Sequence, residues 1–176
     1  MNLRDYQNKA IEDIRYHFRR GKKRVLLVSP TGSGKTIIAC SMIEASKKNH
    51  NSSLFVAHRR GLVMQCSGKL ADFEVPHGVI MAGKSPNMFA DVQVGSIQTF
   101  TSRVDREDFV KPNAQILFID EAHRSASNTF KKLIAEYPEA FVIGLTATPI
   151  RQDGKGLKDI YEELVEAGSI GELTEK

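Results

Sequence analysis

The apolar positions of this chain fall into short, nearly unbroken runs divided by stretches with helical spacing. Val25-Leu26-Leu27-Val28, Leu54-Phe55-Val56-Ala57, Gln115-Ile116-Leu117-Phe118-Ile119 and Phe141-Val142-Ile143-Gly144-Leu145 show no polar alternation and are rich in strand-favouring residues. Val92-Gln93-Val94-Gly95-Ser96-Ile97 reads as a further strand, and Val79-Ile80-Met81 as a weak one. Between them, Tyr6, Ala10, Ile11, Ile14 and Phe18 recur on one face of a helix over residues 4–20, with Gly21 as its stop. Ile37–Ile43 predicts a buried helix, and further helices are expected from about Gly61 to Phe73 and near 128–136. Asn49–Ser53 is a polar break and Gly83–Asn87 a loop. Strands that are apolar on both faces, separated by helices, predict an α/β fold with a mostly parallel central sheet and helices on both faces. In such sheets ligands sit at the carboxyl ends of the strands. The polar clusters of this chain all follow strands.

The most informative cluster is Ser29-Pro30-Thr31-Gly32-Ser33-Gly34-Lys35-Thr36, set between a strand and a helix. That context turns a short pattern into a phosphate site. Gly32 and Gly34 let the backbone curl until successive N–H groups point inward. The helix start adds unpaired N–H groups and the positive end of its dipole. Lys35 can reach the β- and γ-phosphates, and the Thr36 hydroxyl can ligate Mg²⁺. The first glycine of the usual pattern is Ser29 here.

Asp120-Glu121-Ala122-His123 follows the fifth strand directly. An acid at the end of a buried strand is costly unless it meets a cation or a donor. Magnesium on a nucleotide would satisfy Asp120, through a water, and Glu121 would orient the water that attacks the γ-phosphate. Alone, the same acids could simply begin a helix. Joined to the phosphate loop in one sheet, they point to hydrolysis of a magnesium-bound nucleoside triphosphate.

Size and charge narrow the class further. A chain of 176 residues can bury about 70% of its unfolded surface as one domain. Its 41% hydrophobic and 26% charged residues are ordinary for a soluble protein. No apolar run approaches a membrane span and no secretory signal opens the chain. Cys40 and Cys66, without histidine ligands at metal spacing, favour a reduced, cytoplasmic protein. The net charge of +4 conceals an acidic end, because residues 158–176 hold six acids against Lys158 and Lys176. The first 157 residues keep 23 basic against 15 acidic residues, which suits a polyanionic partner without requiring one. The run Arg19, Arg20, Lys22, Lys23, Arg24 reads either as a nucleic-acid or nuclear-targeting cluster or as a solvated connection.

Ser29–Thr36, Asp120–His123 and Thr146-Ala147-Thr148 together resemble motifs I, II and III of superfamily 2 helicases, the DEAD/DEAH group of nucleic-acid-dependent ATPases. The likeness covers nearly the whole chain, nearest to the branch of DNA-repair and type III restriction translocases. It implies a RecA-like ATP-binding domain over residues 1–165, with 166–176 starting a linker to a second RecA-like domain. Leu3-Arg4-Asp5-Tyr6-Gln7 resembles the adenine-recognising segment, with Gln7 as reader and Arg4 as neighbour. Val56–Gln65, which holds His58-Arg59-Arg60, resembles motif Ia, and Val94–Phe100, which holds Gln98 and Thr99, resembles the motif after the fourth strand. In the family both touch the backbone of one strand, and Thr101 stands next to the second. Such contacts position nucleic acid without reading sequence, and DNA is expected in preference to RNA. His123, Thr146 and Thr148 would couple the phosphate to the nucleic-acid face. The arginines that stabilise transition-state charge lie in the family's second domain, and Arg151 is a weak substitute. Nucleotide binding is thus expected to be weak and hydrolysis slow without that domain. A small-molecule kinase or a non-catalytic, ATP-gated nucleic-acid binder are the alternatives.

Overall fold

The computed structural model describes residues 2–85, 87–125, 127–148 and 155–168. The elements run α1 (Asp5–Arg19), β1 (Arg24–Val28), α2 (Lys35–Lys48), β2 (Ser53–Ala57), α3 (Arg60–Asp72), β3 (Gly78–Ile80) and β4 (Val92–Ser96). They continue with α4 (Ile97–Arg103), β5 (Ile116–Ile119), a 3-10 turn (Ala122–Arg124), α5 (Asn128–Ala135), β6 (Phe141–Thr146), α6 (Lys155–Lys158) and β7 (Glu163–Glu166). The seven strands form one sheet in the order β3-β4-β2-β5-β6-β1-β7, and every pairing is parallel.

Period-two geometry explains why the strands are apolar throughout. Val25 and Leu27 face one layer and meet α1, α2 and α3 through Ile14, Ile38, Ile43 and Val63. Leu26 and Val28 face the opposite layer and share a core with Phe100, Phe130, Leu133 and Tyr161. Each fully buried aliphatic side chain contributes roughly 1.5–3 kcal/mol, so a polar residue on either face would be costly.

The carboxyl ends of β5, β6 and β1 lie side by side, which brings residues far apart in sequence to one edge. Val28 is level with Thr146, and Ile119 with Gly144. The Ser29 N–H donates to the Thr146 carbonyl at 2.9 Å.

Three differences from the sequence expectation have physical causes. The fourth strand stops at Ser96, and Ile97 opens α4, because Ile97 and Phe100 are both fully buried at helical spacing. Gln98, Thr99 and Thr101 therefore stand on a helix rather than at a strand end. The phosphate-loop helix begins at Lys35 and extends to Lys48. Strand β7 was not expected at all. It is an edge strand, and two of its four residues are glutamates that mask the apolar signal.

That edge also resolves the charge asymmetry. Lys22 Nζ lies 3.4 Å from Glu163, and the Lys23 N–H donates to Glu162 at 2.9 Å. Part of the basic cluster after α1 is thus matched by the acidic end of the chain, as a solvated connection would be.

Candidate active site

Gly32 and Gly34 have φ of 82° and 85°, left-handed values that any side chain would strain. A Cβ on Gly34 would also stand 2.5 Å from Gln7 Nε2. Helix α2 has no side-chain cap at its N-terminus, so its first N–H groups remain available to an anion. Lys35 Nζ donates to the carbonyls of Ser29 and Pro30, each at 2.9 Å, and so braces the loop across its own mouth. Behind the loop, the Ser33 carbonyl accepts from Tyr6 Oη at 2.7 Å and Gln7 Nε2 at 3.0 Å. Ser29 uses its hydroxyl on the Ala167 carbonyl at 2.7 Å and meets Ser33 Oγ at 2.5 Å. The residue in place of the first glycine thus ties the loop to the chain just past β7.

Asp120 is buried, and its Oδ1 accepts the Glu121 N–H at 2.9 Å. Burial pushes its carboxyl above the usual carboxylate range, and the Glu121 charge adds to this. The Glu121 N–H, Lys35 and His123 pull the other way. Burial also lowers the Lys35 ammonium, while Asp120 supports it. Each group feels the other's charge, as a pair serving one ligand must.

Glu121 adopts φ 51° and ψ 47°, a left-handed conformation that a non-glycine residue pays for. Its Oε2 is buried with no hydrogen-bond partner in the protein, and its Oε1 stands 3.7 Å from an Arg59 guanidinium nitrogen. Strain and an orphaned acceptor at one residue mark a functional position.

These groups line a cleft of about 490 Å³. Of the sequence-predicted residues, Thr31, Gly32, Gly34, Lys35, Thr36, Arg59, Asp120, Glu121, His123, Thr146 and Thr148 border it. Leu62 and Gln65, within the segment that resembles motif Ia but given no role from the sequence, border it too, as does Lys69, which the sequence did not single out. Their spacing along α3, continuing from Arg59, was the available signal. A larger cavity of about 740 Å³ lies at the amino ends of β5 and β6, around Gln115, Ile116 and Phe141. That is the wrong edge of a parallel sheet for ligand binding, so the smaller cleft is the candidate.

The remaining predicted residues divide. Arg4 and Arg60 are exposed, and neither borders the cleft. Gln98 Nε2 donates to His58 Nδ1 at 2.8 Å, which joins two predicted nucleic-acid contacts across β2 and α4. Thr99 lies on the same helix, but Thr101 gives its hydroxyl to the Ile97 carbonyl at 2.8 Å. His123 Nδ1 lies 3.4 Å from Thr146 Oγ1, which also accepts the Thr148 N–H at 3.3 Å. Arg151 and residues 169–176 lie outside the described residues.

Comparison with known proteins agrees with this geometry. Residues 1–151 match the family described as type III restriction enzyme, res subunit. The chain is 31% identical over 190 residues to the putative ATP-dependent helicase IRC3 of Saccharomyces cerevisiae, covering 97% of this chain and 27% of that protein. It is 29% identical over 168 residues to the DNA 3'-5' translocase XPB2 of Sulfurisphaera tokodaii, covering 94% of this chain and 34% of that protein. The Hef helicase domain of Pyrococcus furiosus superposes with a TM-score of 0.78 at 26% identity, covering 97% of this chain and 39% of that one. The sheet is therefore that of a RecA-like helicase domain. The chain spans about a quarter to a third of the length of these two curated relatives.

Proposed function

We propose, since the chain belongs to the family of the type III restriction enzyme res subunit, that it is the ATP-binding half of a nucleic-acid-dependent motor. On this reading residues 1–165 form the first RecA-like unit, and residues 166–176 begin the approach to a second one. The motor couples ATP hydrolysis to translocation on, or unwinding of, nucleic acid. DNA is the favoured substrate, supported by the relative named a DNA 3'-5' translocase. Two free thiols in the core favour a reducing compartment such as the cytoplasm. Among the described residues no helix is long and apolar enough to cross a membrane.

The observation that carries this reading is the convergence of Lys35, Asp120 and Glu121 on one cleft. ATP would draw Lys35 from the Ser29 and Pro30 carbonyls to its β- and γ-phosphates, while the α2 N-terminus receives the phosphate oxygens. Gln7, with one amide hydrogen beyond its bond to Ser33, and Arg4 would meet the adenine side. Glu121 would take its place beside the attacking water with the oxygen that has no partner now. His123 and Thr146 would carry the loss of the γ-phosphate toward Thr148 and the nucleic-acid face. His58, Arg60, Gln98, Thr99 and Thr101 would hold the backbone of one strand, with Arg59 beside them.

The residues suit magnesium. Among the described residues no three His, Cys, Asp or Glu side chains converge on a metal position. A metal here must draw on phosphate oxygens and waters, the habit of Mg²⁺ rather than of a fully caged ion. Thr36 and Asp120 would hold it, and when bound it would neutralise charge developing on the transferred phosphoryl group.

The test is ATP turnover by the full-length protein with and without single- and double-stranded DNA and RNA. Stimulation by at least one, abolished by Glu121→Gln with ATP binding retained, is the expected result. A stoichiometric phosphorylated product in place of free phosphate would indicate a kinase, and no stimulation by any of the four would remove the motor reading.

A further inference from the structure

Resting on that motor reading, we infer that Arg59 is a positioning residue that restrains the water-activating glutamate until nucleic acid draws it away. Arg59 precedes α3 as its N-cap, and its backbone carbonyl accepts the N–H groups of Leu62 and Val63. Its side chain makes no capping bond. It reaches across the cleft mouth to Glu121 Oε1, while the other oxygen of Glu121 is buried and unpartnered. One residue therefore stands between the nucleotide cleft and the exposed edge where His58, Arg60 and Gln98 lie.

The pair is suited to release. Its N–O separation is 3.7 Å, and the Arg59 side chain is 66% exposed against 21% for Glu121. An exposed, loose ion pair is weak. A phosphodiester offers guanidinium a planar, bidentate partner, so the backbone of a bound strand competes well for Arg59. While the guanidinium stands beside Glu121 Oε1, it fixes the carboxylate in its present orientation and keeps it from turning to orient the attacking water. Once Arg59 turns to a phosphate, the Glu121 side chain is free to turn toward that water. The nucleic-acid contact and the chemical step then exchange one cation.

This assignment separates Arg59 from a plain phosphate contact. A phosphate contact that is lost raises the concentration of nucleic acid needed and leaves the rate without nucleic acid alone. A restraint that is lost raises that rate.

The experiment measures steady-state ATP hydrolysis by the full-length protein and by Arg59→Ala and Arg59→Lys, with no nucleic acid and with saturating single- or double-stranded DNA oligonucleotide. Arg59→Ala is expected to raise the rate without DNA about two- to five-fold, the worth of releasing an exposed ion pair. The ratio of stimulated to unstimulated rate should fall by a similar factor even at saturation. Arg59→Lys, a point charge in place of the fork, should lie between. If wild type is stimulated by DNA and Arg59→Ala leaves the DNA-free rate unchanged or lower, the restraint is wrong and the motor reading stands. If wild type itself is not stimulated by any nucleic acid, the motor reading fails and the restraint with it.

Discussion

Gln7 Nε2 donates to the Ser33 carbonyl at 3.0 Å, while Gln7 Oε1 accepts the Arg4 N–H at 3.0 Å. The side chain expected to read adenine thus also fastens the first turn of α1 to the back of the phosphate loop. Gly34 makes this possible, since any Cβ there would collide with the amide.

Gln7→Ala should therefore weaken ATP and GTP together, because the loop itself loses a support. The Ser33 carbonyl loses one of two donors and keeps Tyr6, a cost of about 0.5–1.5 kcal/mol. Binding of both nucleotides, followed calorimetrically, checks this. A loss confined to ATP would show that Gln7 acts only on the base.

The acid and the lysine make nucleotide affinity depend on pH in a set direction. Asp120 is raised in the folded chain, chiefly by burial. The fold therefore holds that proton more tightly than the unfolded chain does, and stability from this group is lost as pH climbs through the raised value. Lys35 is lowered, again chiefly by burial, so its contribution is lost as pH falls through the interval between the ordinary and lowered values. MgATP needs the carboxylate and the ammonium together. Affinity should peak between the two values, over a narrower range than unperturbed groups would leave. Asp120→Asn should weaken MgATP binding yet raise the melting temperature of the ligand-free protein at neutral pH. A lower melting temperature for Asp120→Asn would contradict the assigned cost of burying that charge.

Glu121 offers a stability test independent of turnover. With φ of 51°, the position prefers glycine over any residue with a Cβ. Glu121→Gly should exceed Glu121→Ala in stability by about 1 kcal/mol, whereas in a helix interior alanine is the more stable of the two. Urea unfolding of the two variants gives the order directly. Equal stabilities would mean that the strain does not exist in solution.

Much of this was legible in the chain itself. Unbroken apolar runs such as Leu117-Phe118-Ile119 announce a strand buried on both faces, and the phosphate loop with Asp120-Glu121 announces the edge that matters. Boundaries were less visible where one residue serves two periods. Ile97 continues the apolar run of β4 and also starts the buried stripe of α4. Strand β7 escaped because Glu163 and Glu166 dilute its pattern, and only the sheet supplies Lys22 as a partner for Glu163. The Arg59–Glu121 contact had no sequence signal, since it joins side chains 62 positions apart through the geometry of a sheet edge.

The central claim is that Lys35 and Asp120 serve one bound triphosphate, and a double-mutant cycle on MgATP affinity tests it most directly. Calorimetric titration of wild type, Lys35→Ala, Asp120→Asn and the double variant supplies the four corners of the cycle. Each single change should weaken binding at least about tenfold, as the loss of a charged contact does. The double variant should lose clearly less than the two effects combined, because both act on one ligand. Strict additivity, or an Asp120→Asn variant that binds MgATP like wild type, would contradict the account.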